Sequence, residues 1–306
     1  MLGDNMNTAV LSKFPWRDYL TLCKAKVVAL MMITAWVGML LACAPNVFPF
    51  KTILCASIGI ALCAGSAAAI NHLVDRHIDE KMQRTQYRPL VVGKVTVYQA
   101  MRFSFVLAVL GLAILILYVN SLTAWLTLGS LIGYAFIYTM YLKKATPQNI
   151  VIGGITGALP PLLGQTAITG QVEALGLMLA LIIFTWTPPH FWALALFRIK
   201  DYENAKLPML PITHGVAFTK LSILLYTFLL VLVTFLLPVL HLAGTTYTVC
   251  MIGLNAGFLY YAYKVFTSSE AIIAWCLFQY SIVYLFALFI ILLIEHYLIY
   301  FMRSLG

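Results

Sequence analysis

The chain has 306 residues, of which 62% are apolar and 9% charged, with a formal net charge of +9 and a mean hydropathy of +0.95. Soluble domains carry about 45–50% apolar and about 25% charged residues, so this chain has too little polar surface to cover a water-facing globule. A lipid bilayer is its natural solvent.

The first 27 residues carry Asp4, Lys13, Arg17, Asp18, Lys24 and Lys26, with no short apolar stretch leading to a small-residue cleavage site. They read as a polar arm rather than a cleaved signal peptide. Apolar blocks then recur over 28–45, 52–70, 99–117, 121–141, 149–168, 174–197, 221–240, 246–265 and 272–299. Blocks of about 20 residues span about 30 Å of hydrocarbon as helices, whereas barrel strands would be shorter and alternate with period two. The expected fold is all-α, a polytopic membrane protein of nine helices, with residues 28–306 forming a single transmembrane domain.

With the N-terminus in the cytoplasm, all but Lys51 and Arg303 of the 19 basic residues fall on the cytoplasmic side. This is the positive-inside pattern, and it explains the charge without nucleic acid. The six cysteines form no CxxC pair and lie in or beside apolar blocks, so they read as small buried hydrophobes.

External connections such as 118–121 and 167–173 are short. The cytoplasmic side keeps two long polar segments, about 71–98 and 198–220, and the chemistry is expected there. In NHLVDRHIDEKMQRTQYRPLVVGK, Asn71, Asp75 and Asp79 are spaced four apart. At about 100° per residue they drift only about 40° around a helix and line one stripe. Carboxylates at a membrane mouth repel one another unless a cation sits between them, and Mg²⁺ favours hard oxygen ligands completed by phosphate. A solvated helix end is the other reading. Lys81, Arg84 and Arg88 follow, with Pro89 behind them; they suit a diphosphate leaving group or serve as cytoplasmic anchors.

The second segment, TPPHFWALALFRIKDYENAKLPMLPITHG, places Pro188 and Pro189 beside His190, where a bend in the sixth span is expected. Asp201, Glu203, Asn204 and Lys206 supply a second set of oxygen ligands and a cation on the same membrane face. Two such patches could hold two metals around one diphosphate. His72 and His77 flank the acidic stripe. For His190 the readings are contact with a large substrate, proton transfer or a structural hydrogen bond. Gly153, Gly154, Gly157 and Gly164 with Pro160 and Pro161 make the fifth span thin, suited to close helix packing or to space for a ligand. Tyr138, Trp192 and neighbouring aromatics could line an apolar chamber.

The NxxxDxxxD pattern of Asn71, Asp75 and Asp79 resembles the UbiA superfamily of intramembrane prenyltransferases. The surrounding RTxxRPL and PPHFWALA segments are similar to its haem-modifying branch. The likeness covers about residues 20–300. It implies a bundle around a central cavity in a bacterial inner membrane, with the active site opening to the cytoplasm. It implies farnesyl diphosphate and haem B as substrates, and two Mg²⁺ held by Asn71, Asp75, Asp79 and Asp201, with Glu203 and Asn204 as candidates. The supporting cations would be Lys81, Arg84, Arg88 and Lys206, with His190, Trp192 and Tyr138 facing substrate. Haem A synthase or haem–copper oxidase assembly proteins are the implied partners, besides membrane lipid. One departure stands out: the superfamily's second motif is commonly DxxxD, but here Ala205 stands four residues after Asp201. The alternatives are a related prenyltransferase acting on a quinone precursor or other aromatic acceptor, and a membrane transporter, against which no inverted repeat is visible.

Overall fold

The computed structural model describes residues 16–44, 47–82 and 85–305, and among them every regular element is helical. Nine helices are long and apolar enough to cross a membrane, in the places the apolar blocks assign. Residues 1–15 of the expected polar arm lie outside the described residues. Its remainder forms a short helix, α1 (Trp16–Leu22), joined to α2 (Ala25–Ala42) through Lys24, whose φ of 50° is left-handed.

The second span, α3 (Phe50–Asp79), is 30 residues long, about 45 Å at 1.5 Å per residue. It outruns the apolar block by nine residues and carries the acidic stripe as helix, as the spacing of four predicts. After a looped segment, α4 (Val97–Tyr118) starts at a capping box. There the Thr96 hydroxyl accepts from the Gln99 N–H at 3.2 Å, and the Thr96 N–H donates to Gln99 Oε1 at 2.9 Å. The fourth span begins as α5 (Ser121–Ile132) and continues as a ten-residue π-helix (Gly133–Leu142) before the short α6 (Lys143–Ala145). In that wider turn Thr139 Oγ1 donates to the Tyr134 carbonyl five residues back, at 2.8 Å. π-Helical segments are rare and concentrate at functional sites.

The fifth span is split at Leu159 into α7 (Asn149–Ala158) and α8 (Pro160–Thr169), because consecutive prolines remove two N–H donors. Its glycines act mainly in packing. A Cβ on Gly164 would fall 2.0 Å from the Ala35 carbonyl oxygen, and one on Gly38 of α2 would fall 2.0 Å from that of Pro161. One on Gly153 would strike the Tyr138 ring at 2.1 Å, whereas Gly157 has nothing within 4 Å. The sixth span, α9 (Ala174–Phe197), runs through Pro188 and Pro189 as one helix without a break. Membrane helices tolerate proline where neighbouring helices and Ser or Thr side chains satisfy the freed backbone. In this span Thr185 and Thr187 bond back to the Leu181 and Ile183 carbonyls, not to those of Phe184 and Thr185 that the prolines free.

The second polar segment folds into α10 (Ile199–Asn204) and α11 (Leu210–Thr213), followed by α12 (Gly215–Val239). Helices α13 (Thr245–Thr267) and α14 (Ala271–Leu305) complete the chain. Buried Glu295 of α14 caps α13, accepting from the Gly244 and Tyr247 N–H groups at 2.6 and 2.9 Å. The last span packs back on the first, with Tyr297 Oη donating to the Leu40 carbonyl at 3.2 Å. Large apolar side chains such as Phe105, Leu117, Leu232 and Val239 point outward, as lipid-facing helices require.

Candidate active site

The stripe on α3 is buried, not solvated: Asn71, Asp75 and Asp79 are 3%, 1% and 4% exposed. Buried carboxylates are costly unless paired, and each is paired by a cation from a different part of the chain. Lys143, just past the π-helix, places Nζ 2.6 Å from Asp75 Oδ2. Arg88, in the segment after α3, places Nη1 2.5 Å from Asp79 Oδ2. Lys24, at the α1–α2 junction, donates to Asn71 Oδ1 at 2.5 Å. Asn71 Nδ2 in turn donates to Asp75 Oδ2 at 2.9 Å and to Thr139 Oγ1 at 3.2 Å. The π-helix thus supplies Thr139 and brings Lys143 to the same helix face.

Three cations surround two carboxylates, leaving an excess of positive charge. Lys24 registers it: burial first, then the charges of Arg88 and Lys143, bring its ammonium down to about 7, against the opposing pull of Asp75 and Asp79. An arriving polyanion would relieve that repulsion. Two groups also lack partners among the described residues: Asp75 Oδ1 and both ring nitrogens of His72 are buried without a hydrogen bond.

A divalent cation fits this donor set. Two buried carboxylates, one with a bare oxygen, and an amide oxygen offer hard ligands, and Mg²⁺ commonly takes one or two carboxylates and fills its shell with phosphate and water. For Asn71 to join, Lys24 must release Oδ1. No group of three or more His, Cys, Asp or Glu able to hold a metal occurs among the described residues, so the rest of the shell would come from a ligand.

The second patch stands apart. Asp201 is half-buried and faces Arg198 of its own turn at 3.4 Å, while Glu203, Asn204 and Lys206 are exposed. No hydrogen bond or ion pair joins these four to the α3 stripe among the described residues. Lys206 adopts a left-handed φ of 53°. Lys81 is exposed, and Arg84 lies outside the described residues.

His190 is buried, stacked between Trp186 and Phe278 at centroid distances of 4.1 and 4.5 Å. Its Nδ1 lies 2.6 Å from Ser281 Oγ. The serine gives its proton to the Phe278 carbonyl at 2.6 Å, so the histidine Nδ1–H donates and Nε2 keeps its lone pair. Trp192 is 1% exposed, set edge-on to Tyr226, and its indole N–H has no partner. Tyr138, half-buried on the π-helix, stacks on Tyr134 at 5.5 Å. Sequence reasoning did not place Lys24, Lys143, Thr139 or His72 in the site. The two lysines appeared there only as charges on the positive-inside face.

The architecture is shared with solved membrane proteins. One, described as a digeranylgeranylglyceryl phosphate synthase in membranes, superposes with a TM-score of 0.79 at 18% identity, covering 92% of this chain and 98% of that one. A UbiA homolog from Archaeoglobus fulgidus, bound to GPP and Mg²⁺, superposes with a TM-score of 0.63 at 16% identity over 90% of this chain and 99% of its own. At these identities the likeness establishes the fold alone, a bundle of membrane-spanning helices. The chain belongs to the UbiA prenyltransferase family, whose profile matches residues 31–289. Among its relatives, the protoheme IX farnesyltransferase of Saccharophagus degradans is 55% identical over 284 residues, 93% of each chain. That of Legionella pneumophila (strain Paris) is 53% identical over 95% of this chain and all of its own.

Proposed function

We propose that this prenyltransferase moves the farnesyl group of farnesyl diphosphate onto a vinyl group of haem B, with addition of water, releasing haem O and diphosphate. The observation that carries the diphosphate chemistry is the buried Asp75–Asp79 pair enclosed by Lys24, Arg88 and Lys143. The choice of haem as acceptor rests on relatives of that name at 53–55% identity over nearly the whole chain.

Asn71, Asp75 and Asp79 would hold Mg²⁺, with Asp201 the firmest residue of a second site and Glu203 and Asn204 as further candidates. When bound, the metal supplies neutralisation of charge on the departing diphosphate. The chain's own cations share that task. Lys24, Arg88 and Lys143 rest on carboxylate and amide oxygens now, and they would turn to phosphate oxygens as the allylic C–O bond breaks and its electron pair leaves with diphosphate. Lys81, Arg84 and Lys206 are second-rank candidates for the same role. The allylic carbon joins the terminal vinyl carbon, water adds at the carbon next to the porphyrin, and one proton is lost. Tyr138 and Trp192 would wall the cation from premature water. His190, with Nε2 unprotonated, would face the haem.

The site is assigned to the cytoplasmic face of a bacterial inner membrane, with the N-terminus on that side, because nearly all basic residues cluster there. Haem A synthase or haem–copper oxidase assembly proteins would take the product. The test combines purified protein, haem B, farnesyl diphosphate and Mg²⁺ and looks for haem O by mass. Formation that is lost without metal and in Asp75→Asn supports the reading. Folded wild-type protein that binds both substrates yet makes no haem O overturns it and redirects the assay to aromatic acceptors.

A further inference from the structure

A cavity of about 470 Å³ lies behind the acidic helix, walled by α3, α4 and the π-helix. It takes no part in the site above. On its α3 wall, Leu73 and His77 sit about 160° around that helix from Asp75 and Arg76 about 100°, so the groove opens on a different face of the helix from the carboxylate.

The cavity has a polar end and an apolar end. On α3 it runs from Arg76 and His77, close to the helix terminus at Asp79, back to Ile70. On α4 it runs from the first residue, Val97, in to Ser104. Either stretch spans seven residue steps, about 10 Å of rise, starting from the same membrane surface. Its outer lip is therefore at headgroup level and its floor at hydrocarbon depth.

The lip carries an uncompensated cation. Arg76 Nε donates to His77 Nε2 at 3.1 Å, which leaves the terminal guanidinium nitrogens without a carboxylate among the described residues. Lys94 and Arg102, both exposed, stand near the same end of α4. At the inner end the Ser104 hydroxyl is already committed to the Met101 carbonyl at 2.9 Å, so the trough presents an apolar surface.

We propose that this groove binds an anionic phospholipid, its phosphate on the Arg76 fork and an acyl chain along Ile70, Met101 and Met140. A guanidinium matches phosphate oxygens two at a time. Basic pockets between membrane helices on the cytoplasmic side select anionic headgroups. The groove faces a different side of α3 from the carboxylates, and the proposal does not depend on the identity of the acceptor.

The experiment is native mass spectrometry of the full chain released from detergent micelles containing equal dioleoylphosphatidylglycerol and dioleoylphosphatidylcholine. Wild type should retain one phosphatidylglycerol with about tenfold preference, the scale of one charge-assisted hydrogen-bond pair. Arg76→Gln should bring the preference close to one. Met101→Trp should reduce retention of either lipid by filling the trough, and Met140→Trp replaces it if the first fails to melt cooperatively. Arg102→Gln, outside the groove, should keep most of the preference. An unchanged preference in Arg76→Gln overturns the proposal, as does equal retention of phosphatidylcholine by wild type. One-for-one displacement by a non-hydrolysable farnesyl thiodiphosphate also overturns it, making the groove a route for substrate.

Discussion

Replacing Lys143 with methionine tests whether the site cations are structural counterions before they meet substrate. Lys143 Nζ is 2.6 Å from Asp75 Oδ2, with side-chain exposures of 19% and 2%. Without it the carboxylate keeps only the Asn71 amide at 2.9 Å, and its Oδ1 is already bare. Breaking a buried pair from one side costs about 3–5 kcal/mol. The nearby Lys24 charge holds the loss near the lower end, about 3 kcal/mol. The reciprocal change, Asp75→Asn, should cost less, since the partly exposed lysine can extend to water. The double variant should recover most of the Lys143→Met loss, because neither charge then remains buried alone. Unfolding by denaturant in mixed micelles, on metal-free protein, measures all three, and neither single variant nor the double should form product. Lys143→Met as stable as wild type, or a double variant less stable than it, would refute this account of the pair.

Glu295→Ala removes the acceptor for two N–H groups at the start of α13, and at about 1.5–3 kcal/mol per hydrogen bond to a charged group it should cost at least 2 kcal/mol in the same assay without changing the KM for farnesyl diphosphate. Gly164→Ala puts a methyl 2.0 Å from the Ala35 carbonyl, so it should lower the melting temperature markedly, whereas Gly157→Ala, facing open space, should leave it nearly unchanged. Lys24 gives a pH signature on metal-free protein. Its folded value near 7 lies below the ordinary value of about 10.4, so between those limits the unfolded chain holds a proton that the folded chain does not. Stability from this group should therefore rise as pH climbs from 7 towards 10. Lys24→Met should flatten that rise, and an identical slope in wild type and variant would contradict the assignment.

The spans were legible because a bilayer leaves a simple record: about twenty apolar residues, then a break. The sixth span was read at 174–197, which the helix matches. At Pro188–Pro189 the helix runs on through two missing donors, which answers the question of a break and not that of a bend. The acidic stripe was legible because a period of four survives from sequence to helix. Its burial was not, since a polar helix end beyond the apolar block reads equally as solvated until the other helices close around it.

The cations divide along the same line. Arg88 stands nine residues from Asp79 and could be guessed as its neighbour, but Lys24 and Lys143 lie 47 and 68 residues from the side chains they bond. In sequence each has the form of an interfacial anchor, a lysine at the end of an apolar block. The ten residues GYAFIYTMYL carry no pattern that marks a π-helix, yet that segment supplies Thr139 and leads directly into Lys143. What separates a site lysine from an anchor is a buried carboxylate on another helix. That is a property of the bundle, and no local pattern can hold it. The second patch makes the converse point. Asp201, Glu203 and Asn204 are close in sequence, but the six-residue α10 leaves Asp201 half-buried and the other two facing water, so proximity along the chain did not create a buried acidic set.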